Sequence, residues 1–170
     1  MDNFLITGFG ILDVLAELKK TYTITGGKMP NQHLGMSLKR HPNIQYIEIG
    51  SHQYVTNNLV KVKEILGITT LKKVKKPTPS TFESEMENSK LLDAPNVKKF
   101  QMLIGIVNWL VNIGRSDIAF AVNQLSRINA APREGHMELA QRIFEYLHKF
   151  PNRYFHTEGK EQTHFMADLN

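Results

Sequence analysis

The sequence predicts an α+β fold, with short strands in its first third and amphipathic helices through most of the remainder. Residues 4–7 form a short apolar run, and residues 33–40 and 44–49 alternate between apolar and polar side chains, a pattern typical of strands. Later segments repeat apolar residues at spacings of three and four, which predicts helices. A chain of 170 residues, of which 41% are apolar and 22% charged, can bury a core of its own.

The composition narrows the range of functions. Lys and Arg number 21 against 16 Asp and Glu, so the net charge is +5, which permits a polyanionic partner without requiring one. The absence of cysteine excludes disulfides, thiolate zinc sites and cysteine nucleophiles. No apolar run reaches about 18 residues, so we expect no membrane span, and the beginning lacks the features of a signal peptide. We therefore expect a cytoplasmic or nuclear protein.

The first fifty residues are predicted to fold as a strand, a helix, a second strand and a hairpin. The opening strand ends at Gly8 and Gly10, and the following helix, over residues 11–22, has an apolar stripe at helical spacing. The β-branched run of residues 21–25 predicts the second strand, which we expect to end at the glycine pair that follows. Pro/Asn turn chemistry at residues 41–43 separates the two alternating runs, which predicts a β-hairpin.

The remainder is predicted to be helical, with a polar linker near its beginning. Ser51 is placed to cap a helix that ends at Gly67, because serine accepts hydrogen bonds at helix N-termini and glycine adopts the conformation that ends helices. Residues 68–94 contain blocks of lysine, proline and glutamate, which are typical of a linker. Three helices and two strands follow: residues 97–111, residues 117–129, a helix with Pro132 in its first turn that Pro151 closes, and strands at 153–157 and 163–169.

Several of these segments, taken together, resemble one known family. They are residues 2–8, 34–40, 76–81 and 105–110, and the block from Arg115 to Leu147. In this order and at this spacing they resemble the reverse transcriptase of copia-type retrotransposons, part of a Pol polyprotein, from the end of its catalytic hairpin to the start of its ribonuclease H. The block that begins Arg115-Ser116-Asp117-Ile118-Ala119 and ends Ile143-Phe144-Glu145-Tyr146-Leu147 is the most specific part of the resemblance.

The resemblance implies an organisation in five parts. These are a partial palm over residues 1–50, a thumb helix over 51–67, a linker over 68–94, a helical thumb and connection region over 95–151, and the start of a ribonuclease H-like strand pair over 152–170. A palm without its partner strands leaves an open sheet edge, and open edges recruit other strands. We therefore expect self-association through that edge.

The resemblance also implies which residues would take part in catalysis. In the parent family, aspartates hold two Mg²⁺ ions that activate the primer hydroxyl and stabilise the leaving pyrophosphate. Asp2 falls on the first of two adjacent catalytic positions and Asn3 on the second, while Asp168 falls on the first acidic position of ribonuclease H. An amide is a poorer ligand for a hard cation than a carboxylate, so Asp2 is the one candidate metal position that remains, and one carboxylate does not hold two ions. We expect an RNA-directed DNA polymerase fragment that binds no Mg²⁺ and is inactive alone.

Two regions are candidates for binding an RNA or DNA primer–template. Leu34-Gly35-Met36 resembles the hairpin that supports the primer terminus, where glycine permits close backbone approach; a plain β-hairpin is the alternative. Residues 61–76 contain six lysines against one glutamate, and each neutralised phosphate adds salt-dependent affinity. The candidates in this region are Lys61, Lys63, Lys72 and Lys73. The alternative is a solvated charge run beside the acidic residues 83–93.

Two other functions stay open for this sequence. It could be a nucleic-acid-binding module or a protein-interaction module retained from a retroelement. The seven histidines show no metal-ligand spacing, so we expect them to be surface or packed residues. We predict that Asp117 caps or pairs at a helix start and that Trp109 lies in the core.

Overall fold

The computed structural model describes residues 2–8, 10–28, 31–40, 46–79, 88–158 and 163–169. The chain divides into two compact units, one of Met1–Gly50 with Tyr154–Asn170 and the other of Ser51–Arg153. Helices and antiparallel strands both occur in the described part of the chain. The predicted α+β class is therefore confirmed at the level of secondary structure.

In its described residues, the first unit has two antiparallel sheets and one helix. The three-stranded sheet has the order β1-β7-β2 and the four-stranded sheet the order β3-β4-β5-β6. Helix α1 begins after Gly10, which has a φ of 69°, a left-handed conformation that glycine adopts without steric cost. The elements are β1 (Asp2–Gly8), α1 (Ile11–Thr21), β2 (Ile24–Lys28), β3 (Gln32–His33), β4 (Met36–Arg40), β5 (Tyr46–Gly50), β6 (Tyr154–Glu158) and β7 (Thr163–Leu169).

Two of the predicted strand boundaries in this unit are wrong. Strand β2 does not end at the glycine pair but continues to Lys28, because Gly26 keeps its pairing with Ala167 of β7 and a register shift follows before Lys28. The alternating run of residues 33–40 is also interrupted, since Leu34 and Gly35 form a tight turn between β3 and β4. Backbone pairing decides the first boundary, and positive φ angles decide the second. Neither feature is visible in the alternation of side chains.

The predicted hairpin and C-terminal strands are present. Strands β4 and β5 pair antiparallel from Ser37↔Gly50 to Arg40↔Ile47, although the predicted turn at residues 41–43 lies outside the described residues. The two C-terminal strands form close to their predicted positions, but β6 pairs with β5, whereas β7 lies between β1 and β2. The described pairings thus join these two strands to different sheets.

The second unit is helical and has a continuous apolar core. Its elements are α2 (His52–Leu66), α3 (Ala94–Asn112), a 3₁₀ turn (Ser116–Ile118), α4 (Ala119–Arg127) and α5 (Glu134–Lys149). Burial of one large apolar side chain contributes about 1.5–3 kcal/mol, and most helices of this unit bury several. The fully buried apolar side chains include Val55, Val62, Phe100, Leu103, Ile104, Leu110, Ile118, Leu125, Ile143, Phe144 and Leu147.

The helix ends agree with the predictions in some details and differ in others. Helix α2 ends at Gly67, whose φ is 67°, as predicted. Ser51 does precede α2, but its side chain makes no capping hydrogen bond. Pro132 is not in the first turn of α5, because Arg133 is the N-terminal cap residue. The carbonyl of Pro132 instead accepts a hydrogen bond from the backbone N–H of Leu92 (3.0 Å).

The described parts of segment 68–94 pack onto the helical unit. Leu71 is buried, and residues 89–92 run beside the start of α5. The Glu134 N–H donates to the carbonyl of Lys90 (2.9 Å), and the Gly135 N–H donates to Oγ of Ser89 (2.9 Å). These bonds satisfy N–H groups of the first helical turn that have no partner within the helix. The parts of the segment that the structure describes therefore contain no long regular element, and both are attached to the helical unit.

Candidate functional site

The predicted catalytic positions lie on neighbouring strands of the three-stranded sheet. In the register of β1 and β7, Asp2 is opposite Leu169 and Asn3 is opposite Asp168. On its other side, Asp168 is opposite Thr25 of β2. The backbone thus brings Asn3 and Asp168 together across one strand pair, and Asp2 comes next along β1.

This set of donors does not fit a two-metal polymerase site. Two ions that together bind a primer hydroxyl and a triphosphate need several carboxylates grouped around them, whereas these strands supply Asp2 and Asp168 with one amide, Asn3. In the residues that the structure describes, no group of three or more His, Asp or Glu side chains is arranged to hold a metal ion.

The predicted primer-supporting segment forms a strained turn. Leu34 has a φ of 47° and Gly35 a φ of 81°, so the two residues between β3 and β4 are both left-handed, as in the tight turns of two-residue hairpins. Leucine rarely adopts such a φ, and its side chain is 55% exposed. A strained residue that is also exposed and apolar is a feature found at functional sites more often than elsewhere.

The predicted lysines lie on two consecutive elements of the helical unit. Lys61 and Lys63 are on α2, and Lys72 and Lys73 are in the irregular segment that follows it. Lys61, Lys72 and Lys73 are exposed and Lys63 is half-buried. All four lysines therefore lie within a short stretch of the chain. That they form one surface for nucleic acid stays a prediction.

The helical unit contains an ion pair whose arginine is fully buried. Arg115 is fully buried, and its Nε and Nη2 donate to the two carboxylate oxygens of Asp117 at 2.9 and 3.0 Å. The hydroxyl of Tyr146 on α5 donates to Oδ2 of Asp117 (2.8 Å), and Nε of Arg153 lies 3.4 Å from the same oxygen. The predicted pairing of Asp117 near a helix start is confirmed, and the pair also joins α5 to the 3₁₀ turn.

The electrostatics of this cluster favour the ionised carboxylate. Burial alone would raise the pKa of Asp117, but the hydrogen bonds and charge of Arg115, with the Tyr146 hydroxyl and the charge of Arg153, hold that pKa below its ordinary value. Burial raises the pKa of Tyr146, and its bond to the Asp117 carboxylate raises that pKa further. The cluster therefore contains a carboxylate and a neutral phenol over a wide range of pH.

Sequence reasoning missed three members of this cluster and misplaced one aromatic residue. The Arg-Ser-Asp spacing was the available signal for Arg115, but nothing local connects Tyr146 or Arg153 to Asp117 across 29 or more positions.

Trp109 is 40% exposed, so its prediction as a core residue is wrong. Trp109 lies on the exposed face of α3 with Met102, which is seven residues away and also exposed. Phe100 lies on the opposite, buried face.

The histidines agree with the expectation of packed or surface residues where they are described. His136 is buried in the first turn of α5, and its Nδ1 accepts a hydrogen bond from the backbone N–H of Arg133 (2.9 Å). A histidine that caps its own helix has a structural role. No further chemistry needs to be assigned to His136.

A cavity of about 590 Å³ opens along α5. Helix α5 forms one wall with Glu138, Arg142 and Glu145, and the segment after α2 forms the other with Lys72 and Pro79. Its charged side chains are therefore two cations and two carboxylates, without an excess of either sign. This balance does not favour an anionic ligand over a cationic one.

Among curated proteins, two relatives of this chain are named for transposons and a third is a mitochondrial protein. The retrovirus-related Pol polyprotein from transposon RE1 of Arabidopsis thaliana is 28% identical over 89% of this chain. A putative transposon Ty5-1 protein of Saccharomyces cerevisiae is 27% identical over 79% of it, and an uncharacterized mitochondrial protein of Arabidopsis thaliana is 23% identical over 99% of it. The chain is thus a retroelement-derived protein.

More particularly, the chain is similar to a retrotransposon Pol polyprotein, which confirms the resemblance inferred from its motifs at the level of the polyprotein, while the reverse transcriptase region stays a prediction. It spans 10% of the length of the RE1 polyprotein, 42% of the Ty5-1 protein and 68% of the mitochondrial protein. No family model and no solved structure matches the chain. Across the described residues, no helix is both long and apolar enough to cross a membrane.

Proposed function

We propose that this chain is the part of a copia-type reverse transcriptase that follows the catalytic hairpin, and that alone it does not polymerise. The observation that carries the proposal is the similarity to a Pol polyprotein over 89% of the chain, which extends through both units. The residues at the proposed catalytic positions support inactivity, because Asn3 is an amide where a second carboxylate would bind Mg²⁺.

Primer extension tests this proposal directly. The purified chain is incubated with an RNA template, a DNA primer, deoxynucleotides and either Mg²⁺ or Mn²⁺, and far-UV circular dichroism verifies that it is folded. We expect no extension above a protein-free control, and the Asn3→Asp variant should stay inactive because one added carboxylate does not complete a two-metal site. Extension by the folded wild-type chain alone would overturn the proposed inactivity.

We further propose that the chain keeps contact with a primer–template through Leu34, Gly35, Met36 and the four lysines Lys61, Lys63, Lys72 and Lys73. The support is the strained, exposed turn at Leu34 and the exposure of three of the lysines. Each lysine that neutralises a phosphate releases counterions, so binding should weaken steeply as salt is added.

A salt titration with matched variants tests this contact. The double variant Lys72→Gln/Lys73→Gln should bind a primer–template duplex more weakly and with a shallower slope of log affinity against log salt, by roughly two. Lys98→Gln/Lys99→Gln is the control, because these two lysines are also consecutive and exposed but lie on α3. Equal loss in both pairs, or binding without a salt slope, contradicts the proposal.

Self-association through a sheet edge is the remaining proposal. In the described strand order, β1 and β2 are edge strands of one sheet and β3 and β6 of the other, and edge strands have backbone groups free to pair with another copy. Light scattering across a range of protein concentrations should show a mass above that of one 19.5 kDa chain. A monomer at all concentrations contradicts this proposal.

A further inference from the structure

The C-terminal end of α5 is held by a cation that lies beyond the helix. The guanidinium carbon of Arg153 lies 5.4 Å from the ring centroid of Phe150 and 5.9 Å from that of Tyr146, within the range of cation–π attraction. Its Nε lies 3.4 Å from Oδ2 of Asp117. Three groups of the helical unit thus hold one side chain.

The two arginines at Asp117 differ in how firmly they are attached. Arg115 is fully buried and bonds both carboxylate oxygens, whereas the side chain of Arg153 is 50% exposed and makes a single, longer contact. Exposed ion pairs are weak and are screened by salt, but buried ones are screened much less. Arg153 can therefore leave the carboxylate while the Arg115–Asp117 pair stays formed.

The backbone leaves the helical pattern shortly before Arg153. The N–H of Phe150 donates to the carbonyl of Tyr146 (2.9 Å), and Pro151 follows, which has no N–H to extend the helical pattern. Arg153 is the last residue of the helical unit, and Tyr154 begins β6 in the other unit. The helical unit therefore ends directly after the side chain that holds α5.

We propose that Arg153 is a latch that holds the last turn of α5 in place. With the latch closed, Arg153 contacts Phe150, Tyr146 and Asp117. With the latch open, the last turn of α5 frays and the Phe150 N–H leaves the carbonyl of Tyr146. This proposal concerns the fold of the chain itself and does not rest on the proposed function.

Amide hydrogen exchange tests the latch at one proton. The Phe150 amide should exchange roughly tenfold faster in Arg153→Gln, which corresponds to about 1.4 kcal/mol of local opening. The amide of Ile143, in the middle of α5, should keep its wild-type rate. Arg153→Lys should give an intermediate rate, because lysine keeps the charge but not the planar group that stacks on the rings. Lys98→Gln, an exposed change on α3, should change neither rate.

Salt provides a second readout that a merely structural role would not produce. In the wild-type chain, added sodium chloride should speed exchange at Phe150, since the Arg153–Asp117 contact is exposed to screening. In Arg153→Gln the same salt should have no such effect. Unchanged exchange at Phe150 in Arg153→Gln would overturn the proposal, as would an equal acceleration at Ile143, which would show global and not local opening.

Discussion

Replacement of Asp117 by Asn should strongly destabilise the helical unit. Arg115 is fully buried and directs two of its N–H groups at the Asp117 carboxylate, so the variant leaves a buried cation without a counter-charge. Removal of one partner from a buried ion pair costs about 3–5 kcal/mol. Because Asn retains one acceptor oxygen, we expect a loss of about 3 kcal/mol, a large part of the 5–15 kcal/mol or so that stabilises a typical domain.

Urea unfolding measures this loss. Far-UV circular dichroism follows the helices, and fluorescence follows Trp109, the one tryptophan of the chain, which lies on α3 of the helical unit. For a urea dependence near 2 kcal/mol/M, the midpoint should fall by about 1.5 M. Asp93→Asn is the matched control, because Asp93 accepts the N–H of Asn96 at the start of α3 and Asn caps helices as well as Asp does. A loss below about 1 kcal/mol in Asp117→Asn would refute the reasoning.

The same variant should change the response of the unit to acid. The pKa of Asp117 is lower in the folded chain than its ordinary value of 3.8, so the carboxylate stabilises the fold above that pH. The stabilisation is lost as the pH falls from about 3.8 through the folded-state pKa. Asp117→Asn should lack this part of the acid transition. An acid transition of the same steepness in both proteins would contradict the assignment.

Three smaller changes extend the test. Tyr146→Phe removes the hydroxyl that donates a hydrogen bond to Asp117 and should cost about 1.5 kcal/mol. It should also reduce the loss of stability expected above pH 10, because the folded pKa of Tyr146 is raised and its neutral form stabilises the fold. Leu34→Asn should stabilise its hairpin by about 0.5–1 kcal/mol, since Asn tolerates a positive φ, and unchanged or lower stability in urea would contradict this. Trp109→Ser should cost clearly less than Phe100→Ala, which should lose about 3–5 kcal/mol, because Trp109 is 40% exposed and Phe100 is fully buried; equal losses in urea unfolding would show that Trp109 belongs to the core.

Local patterns predicted the helices well because each helix has to bury one stripe of its own side chains. The apolar residues of α2 at Val55, Leu59 and Val62 have helical spacing and are all buried. Trp109 shows the limit of such patterns. Helix α3 is apolar around much of its circumference, so periodicity alone does not determine which of its large side chains faces the core.

The pairing of strands could not be predicted in the same way. Strand β7 lies between β1 and β2, although more than 130 residues separate it from either. A strand pairs through backbone groups that every residue except proline carries, so its own sequence does not specify its neighbours. The pairing of Asn3 with Asp168 therefore follows from the strand order. No motif in either strand predicts that these two residues are neighbours.

In the segment that most resembles the retrotransposon family, the motif residues contribute to packing more than to catalysis. Within the block from Arg115 to Leu147, the motif residues Arg115, Ile118, Ala121, Val122, Leu125, His136, Ala140, Ile143, Tyr146 and Leu147 are all buried. Its two most distinctive polar residues, Arg115 and Asp117, bind each other and Tyr146, and this arrangement tolerates little change because a buried cation needs its partner. A helical unit held in this way can keep its fold while the positions proposed for catalysis, on strands of the other unit, lose a carboxylate at Asn3. The family resemblance and the proposed loss of polymerase activity are therefore compatible, because they depend on different residues in different units of the chain.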